Sequence, residues 1–241
     1  MIINLWSTPR VGSVWYSMHL AKTYDCTRIT EMFNPHHLNI YRLINSGGSI
    51  TNCHSYKDGS RYDEYYLDDN GVLDTTPMFQ ERSRTVEEEH EYRKQLLYNM
   101  SPDSRVVFHN HVDPIDPDVL KYLTSIADKN IYIYRKDKLA QLASYAIAFI
   151  SKRFAQHTRT QLQYESIDEL PVDVIKQLLK RIAVWESIEK NGEVIAYEDI
   201  NFYEESGMLY KQVKDYTKIL SPNAINQLSQ LLSESSVQHY H

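Results

Sequence analysis

The segment from Ser7 to Ser13 carries residue types that bind anions. It follows an apolar run at residues 2–6 and includes the permanently charged guanidinium of Arg10. Gly12 lets the backbone approach a ligand closely, and the neighbouring hydroxyls add hydrogen-bond donors. We therefore predict that this segment holds an anion. Its predicted contact residues are Ser7, Thr8, Pro9, Arg10, Val11, Gly12, Ser13 and Val14.

The residues after Gly12 read as the first turn of a helix over residues 12–24. The free N–H groups of Ser13, Val14 and Trp15 point out of that turn, with the positive end of the helix dipole behind them. The loop is not a Walker A motif, because it lacks the second glycine and the Lys-Ser/Thr pair that place a magnesium-bound triphosphate. For this segment taken alone, a capped turn with a solvated arginine is the alternative.

A second polar group follows the apolar strand pattern at residues 131–134. Arg135 stands at the end of that strand, and Asp137 is predicted to cap the next helix. Asp137, Gln141 and Ser144 recur at helical spacing and form a polar stripe on an otherwise apolar helix. We predict that Arg135 and Ser144 together hold a second anion.

The elements that position these residues alternate between strand and helix. The predicted strands lie at residues 2–6, 27–31, 105–114, 131–134 and 192–200. The predicted helices lie at residues 12–24, 85–100, 116–127, after Arg135, at 171–190 and at 205–237. This alternation predicts one α/β domain over residues 1–241, a P-loop-like three-layer sandwich whose central parallel sheet is flanked by helices.

Open parallel sheets bind ligands beyond the carboxyl ends of their strands. The chemically capable residues stand in the last part of a predicted strand or just past it, and they are Ser7–Ser13, Glu31, His109, His111, Arg135, Glu198 and Asp199. No compact set of metal ligands is evident, since adjacent residues such as His36 and His37 point in different directions. We therefore predict an anion site at this edge and no metal site.

Residues 46–100 are predicted to be an insertion into this domain. The polar, turn-rich part before residue 76 predicts a hairpin or an excursion outside the core, and residues 36–44 predict a short helix. Thr85 and Glu88 form a capping box for the helix at 85–100. We interpret the charge run of that helix as a solvated face.

Composition excludes several classes of partner. A net charge of −6 argues against a broad nucleic-acid or anionic-membrane surface, so any anion site must be local. No apolar run approaches the roughly 18 residues needed to span a bilayer, and no signal peptide is expected. Cys26 and Cys53 form no CxxC motif, which predicts reduced thiols and a cytoplasmic protein.

Four segments resemble a known family. "STPRVGSVW" resembles the 5′-phosphosulfate loop of sulfotransferases that use 3′-phosphoadenosine-5′-phosphosulfate (PAPS). "YRKDKLAQLASY" resembles their 3′-phosphate motif, closest to the Stf0-like carbohydrate sulfotransferases, and Glu31 in "TEMFN" matches a glutamate of that branch. "VIAYEDI" is similar to a Tyr-Glu-Asp-Leu strand of the superfamily. Departures include Val11, where the family usually has a hydroxyl.

The resemblance implies a PAPS-dependent sulfotransferase that moves a sulfuryl group to a hydroxyl of a small-molecule, carbohydrate or glycolipid-like acceptor. PAPS would be held by the residues of the first loop together with Arg135 and Ser144, and Arg10 would stabilise charge on the leaving phosphate. The base would be Glu31, with His111 as the alternative and His109 in the place of a neighbouring cation. The alternatives are a small P-loop kinase-like phosphotransferase and a non-catalytic protein that binds a nucleotide or a partner.

Overall fold

The computed structural model describes residues 1–33, 62–78, 86–112, 115–151, 166–200 and 215–237. Within these residues the strands are β1 (Ile2–Ser7), β2 (Thr27–Thr30), β3 (Tyr62–Leu67), β4 (Leu73–Met78), β5 (Val106–His111), β6 (Lys129–Tyr134) and β7 (Glu193–Ala196). The helices are α1 (Ser13–Tyr24), α2 (Val86–Tyr98), α3 (Pro117–Ile126), α4 (Lys138–Ile150), α5 (Val172–Ser187) and α6 (Pro222–Ser233). Short 3₁₀ turns cover Tyr197–Asp199 and Tyr216–Lys218.

The apolar run at the start of the chain becomes β1, the central strand of the main sheet. All six of its residues are buried, which is typical of a parallel strand covered on both faces. The sheet has five strands in the order β2-β5-β1-β6-β7. β1 and β2 each pair in parallel with β5, and the register places Thr30 beside His109 and Ser7 beside His111. The predicted α/β class, a central parallel sheet flanked by helices, is confirmed.

Most element boundaries fall close to the predictions, but the last predicted helix, 205–237, is confirmed only over Pro222–Ser233, and a 3₁₀ turn precedes it at Tyr216–Lys218. The last predicted strand is shorter than expected, because the strand ends at Ala196 and the next three residues form a 3₁₀ turn. Asp137 is the N-cap of α4, where its carboxylate accepts a hydrogen bond from the Ala140 N–H at 2.8 Å. No helix among the described residues has the length and apolar character needed to cross a bilayer.

By their contacts the residues fall into two compact units. The first comprises Met1–Ser7, Ser13–Tyr132 and Lys190–Glu193. Its interior contains β1 and β5 and also buries amides: the Asn4 side chain donates to Leu123 O and to Asn130 Oδ1. The Trp6 indole N–H donates to the same Asn130 oxygen at 3.2 Å, so these two buried N–H donors are paired.

The second unit comprises Thr8–Gly12, Ile133–Glu189 and Val194–His241. Its core is built by the apolar faces of α4, α5 and α6, for example Leu142, Leu178 and Leu228, each fully buried. Trp185 is also buried in this unit, with its ring 5.9 Å from that of Tyr134. The apolar periodicity of the three helices explains this packing.

The charge run of α2 is not simply a solvated face, which corrects the interpretation made from the sequence. Glu87, Glu88 and Glu91 are exposed, but the side chains of Glu89 and Arg93 are 0 % and 1 % exposed. Arg93 Nε donates to Glu89 Oε1 at 2.9 Å. The two residues lie four positions apart and so share one side of the helix, and that side is buried.

The predicted insertion at 46–100 contains a hairpin at 62–78. β3 and β4 pair antiparallel, and Gly71, in their turn, adopts a positive φ of 73°. Asp68 Oδ1 accepts hydrogen bonds from the Asn70 and Val72 N–H groups, which closes the turn. The predicted helix at 36–44, the Thr85 cap, His36, His37 and Cys53 lie outside the described residues. The single domain and its insertion stay predictions.

Candidate functional site

The loop after β1 contains two residues with left-handed backbone conformation. Arg10 has a φ of 69° and Gly12 a φ of 73°. Glycine adopts this conformation without strain, whereas for arginine it is unusual and must be stabilised by its surroundings. Arg10 is therefore held in place by its neighbours in the second unit.

Gln141 of α4 holds the first part of this loop. Its amide nitrogen donates to Thr8 Oγ1 at 2.9 Å and to Pro9 O at 2.7 Å. All three residues are buried. The structure thus places the Thr8 hydroxyl and the Pro9 carbonyl against α4, where both already accept hydrogen bonds.

Arg10 and Arg135 approach each other in the second unit. Arg10 Nε donates to Ser144 Oγ at 3.2 Å, and Arg135 Nη1 donates to the Arg10 carbonyl at 3.4 Å. Burial, and next the charge of Arg135, lower the pKa of the Arg10 guanidinium from its ordinary value. Two cations in a desolvated setting repel each other, so an anion bound beside them would be stabilised.

The 3₁₀ turn after β7 supports Arg135. The Arg135 guanidinium lies 5.1 Å from the centre of the Tyr197 ring, and its Nε is 3.7 Å from Glu198 Oε1. The Glu198 carboxylate also accepts from the backbone N–H groups of Lys136 and Asp137, at 3.0 and 3.2 Å. Glu198 therefore positions the segment that carries Arg135 as well as balancing part of its charge.

Two other predicted contact residues differ in exposure. The Val11 side chain is fully buried, so it is a packing residue, which explains an apolar side chain at this position of the loop. The Val14 side chain is 41 % exposed on α1. Neither side chain can donate a hydrogen bond, so any contact of theirs with an anion would use the backbone N–H.

The first unit holds a separate polar cluster of five side chains, Ser7, Ser13, Glu31, His109 and His111. Ser13 Oγ lies 2.8 Å from His109 Nε2, and Ser7 Oγ lies 3.1 Å from His111 Nδ1. His111 Nε2 lies 3.2 Å from Glu31 Oε1. Glu31 and His111, predicted as alternative bases, are therefore direct partners.

The backbone around Glu31 is shaped to make this contact. Glu31 has a φ of 49°, and its N–H donates to His109 O at 2.6 Å, one residue beyond the end of β2. The carbonyl of the next residue, Met32, accepts a hydrogen bond from Arg93 Nη1. The buried Glu89–Arg93 pair of α2 thus fixes the chain just after Glu31, a role that the sequence did not reveal.

No family model matches this sequence, and no curated protein matches it. A shikimate kinase from Bacteroides thetaiotaomicron is similar in structure, with a TM-score of 0.41, 13% identity and coverage of 97% of each chain. A shikimate kinase from Aquifex aeolicus has a TM-score of 0.38 and 12% identity, over 97% of this chain and 96% of that one. At these TM-scores the likeness assigns no substrate and no catalytic residue to this chain.

The prediction of a PAPS-dependent sulfotransferase is wrong. No sulfotransferase model or curated sulfotransferase matches, and the similar solved structures named above are kinases. The prediction that PAPS is the cofactor is therefore wrong as well. The physical reason is that the motifs behind the resemblance, a loop with Arg10 and Gly12 and a strand end with Arg135, are general means of holding an anion. They do not specify which anion.

One signal in the sequence was overlooked. His109 and His111 are two residues apart on a strand, and side chains at that spacing lie on the same face. Thr30 pairs with His109, which brings the following residue, Glu31, to the same end of the sheet. The spacing of the two histidines could have predicted this convergence, but the register of β2 against β5 could not be read from the sequence.

Proposed function

We propose that this chain is a phosphotransferase of the small P-loop kinase type, which transfers a phosphoryl group from a nucleotide to a hydroxyl of a small molecule. The observation that carries the proposal is the pair of guanidinium groups at Arg10 and Arg135, joined through the Arg10 carbonyl. The arginine fork matches the geometry of phosphate oxygens and stays charged at all working pH values.

The surroundings of this arginine pair favour a phosphate group. Ser144 Oγ beside Arg10 offers a hydroxyl, and the left-handed Gly12 exposes backbone without a side chain in the way. The chain as a whole is acidic, with a net charge of −6, so attraction for a phosphate must come from local cations such as these two. Arg10 and Arg135 supply the charge that a Walker A lysine supplies elsewhere.

Phosphoryl transfer depends mainly on positioning and on stabilising charge on the phosphate oxygens. In this proposal Arg10 and Arg135 hold the nucleotide phosphates and take up that charge. The acceptor hydroxyl must also lose a proton to a base. The loop residues Ser7 to Val14, apart from Pro9, are proposed as phosphate contacts through their N–H and hydroxyl groups.

A second candidate is a protein that binds a nucleotide without transferring a group. The missing Lys-Ser/Thr pair after Gly12 favours it, because those residues place the metal-bound terminal phosphates in Walker A proteins. Both candidates need the arginine pair for binding, and turnover alone separates them.

Calorimetric titration with ATP and Mg²⁺, and separately with inorganic phosphate, tests the binding step. We expect Arg135→Ala to weaken ATP binding at least tenfold, about 1.4 kcal/mol. The control variant Lys180→Ala removes an exposed cation from α5 and should leave the affinity unchanged. Equal affinities in Arg135→Ala and the unsubstituted protein would remove the arginine pair as the binding site and the proposal with it.

Transfer is tested by following ATP consumption with a panel of small hydroxyl acceptors. ATP binding without turnover on any acceptor, in the unsubstituted protein, would favour the second candidate.

A further inference from the structure

We propose that Glu31, His109 and His111 form a binding site for a first-row divalent transition-metal ion, with Zn²⁺ the best match. One ligand atom from each of the three side chains lies within 4.8 Å of the others. Among the residues that the structure describes, no other three His, Cys, Asp or Glu side chains converge in this way. This inference does not rest on the proposed phosphotransferase activity.

Two of the three ligands lie on a strand, and the third, Glu31, directly follows one. His109 and His111 alternate along β5 and so project to one face, while Glu31 follows the neighbouring strand β2. The Glu31 N–H donates to His109 O at 2.6 Å, which extends the pairing of the two strands as far as Glu31. Ligands on paired strands are held more precisely than ligands on loops.

The hydrogen bonds of His111 leave one ring nitrogen facing the carboxylate. Its Nδ1 lies 3.3 Å from Ser7 O, which can only accept, and 3.1 Å from Ser7 Oγ. With the proton on Nδ1, the Nε2 lone pair points at Glu31 Oε1, 3.2 Å away. In this tautomer two acceptors face each other, and a metal ion between them would satisfy both, whereas in the other tautomer the Nε2–H donates to Glu31.

With the ion on the other ring nitrogen of each histidine, Ser7 and Ser13 become outer partners of the kind that metal-binding histidines usually have. Ser7 Oγ lies near both rings, 3.1 Å from His111 Nδ1 and 3.4 Å from His109 Nε2. Ser13 Oγ lies 2.8 Å from His109 Nε2. Outer partners of this kind fix the ring orientation and the tautomer of a ligand histidine.

The donor set selects the class of ion. Two imidazoles and one carboxylate suit Zn²⁺ and the neighbouring divalent ions, whereas Mg²⁺ and Ca²⁺ prefer oxygen ligands only. His109 is fully buried and the Glu31 side chain is 15 % exposed, so little water competes for the ion. Bonds of about 2.1 Å place tetrahedral ligand atoms about 3.4 Å apart, so binding draws the three side chains together.

Titration of EDTA-treated, dialysed protein with Zn²⁺ by calorimetry, and with Co²⁺ by visible absorption, tests the site. We expect one equivalent to bind, with the absorption bands of low-coordinate Co²⁺ and no competition from excess Mg²⁺. His109→Ala and His111→Ala should each weaken Zn²⁺ binding at least 100-fold, and Ser7→Ala about tenfold. The control His90→Ala removes a histidine of α2 outside the cluster and should bind as the unsubstituted protein does.

Far-UV circular dichroism confirms that each variant is folded before it is titrated. An unchanged Co²⁺ spectrum and Zn²⁺ affinity in the double variant His109→Ala, His111→Ala would overturn the proposal, as would no binding by the unsubstituted protein. Arg135→Ala should bind Zn²⁺ normally. The failure of the metal site and the failure of the nucleotide site are therefore separate results.

Discussion

Arg10 is the residue at which conformation and chemistry are most clearly in competition. Its φ of 69° belongs to the left-handed region, which costs a residue with a Cβ roughly 1–2 kcal/mol. Glycine would avoid that cost but would remove the guanidinium beside Ser144. The proposed phosphate contact of the guanidinium would offset that cost.

This competition predicts that two substitutions of Arg10 differ in stability but not in phosphate binding. Arg10→Gly should have a higher free energy of unfolding than Arg10→Ala by about 1 kcal/mol, because only glycine relaxes the left-handed backbone. Both variants should lose phosphate binding to the same extent. Urea denaturation measures the first quantity and calorimetry the second. Equal stabilities would show that the backbone at this position is not strained.

At the level of single residues, the binding roles predicted for the loop from Ser7 to Ser13 and for Arg135 stay predictions, and the structure adds the partners of these side chains. The pairing of Glu31 with His111 was not predicted, since the two were treated as alternatives for one role. Their contact depends on the register of β2 and β5, which long-range strand pairing decides.

Helix α2 has a buried charged face that could not be predicted from the sequence. An opposite-charge pair at positions i and i+4 occurs on solvated helix faces as well as on buried ones. On the same helix the hydrogen-bonded residues Glu91 and Gln95, also four positions apart, are exposed. Glu89 and Arg93 are buried because their side of the helix packs inward and Arg93 reaches the Met32 carbonyl. The helix itself was predicted within two residues at each end, since local periodicity determines its extent.

A double-mutant cycle on α2 should show strong coupling. Glu89→Leu and Arg93→Met, made singly, should each lower the free energy of unfolding by about 3–5 kcal/mol, because each leaves a buried charge without its partner. The double variant should lose less than the sum of the two. The exposed pair Glu91→Leu, Gln95→Met is the matched control and should change stability by less than about 0.5 kcal/mol. Additive losses at 89 and 93 would contradict a direct interaction.

At the scale of the whole molecule, the fold class could be predicted from the sequence, whereas the activity and the cofactor could not. Apolar runs at the strand positions and periodic helices between them were enough to predict a parallel α/β sheet, because burial on both faces leaves a clear pattern. The cofactor was predicted from short motifs at two anion-binding positions. Such motifs show that a site can hold a negatively charged group, and many unrelated ligands carry such a group. The motifs therefore did not identify the cofactor, and the sulfotransferase prediction was wrong.

Acid should destabilise the whole molecule partly through His90. Burial, and next the charge of Lys94, lower the pKa of His90 below its ordinary value, and its ring lies against the edge of Phe33. Because the pKa of His90 is lower in the folded protein than in the unfolded chain, protonation of its ring favours unfolding. The contribution of His90 to stability is therefore complete above the unfolded pKa of about 6.5 and is lost as the pH falls through the folded pKa.

Chemical denaturation at pH 7.5 and at pH 5 measures this effect. Replacing His90 by Gln removes the titrating ring, so the loss of stability between the two pH values should be smaller in His90→Gln than in the unsubstituted protein. An identical loss in both proteins would assign the acid sensitivity to other groups.

The positions of two tryptophans give each compact unit its own optical reporter. Trp6 is fully buried in the first unit and Trp185 is 2 % exposed in the second, and the third tryptophan, Trp15, lies on α1. A chain with Trp15→Phe and Trp185→Phe emits from the first unit alone, and one with Trp6→Phe and Trp15→Phe from the second alone. Fluorescence from the two chains resolves the unfolding of the sheet core around β1 and of the helical core around α5 as separate signals.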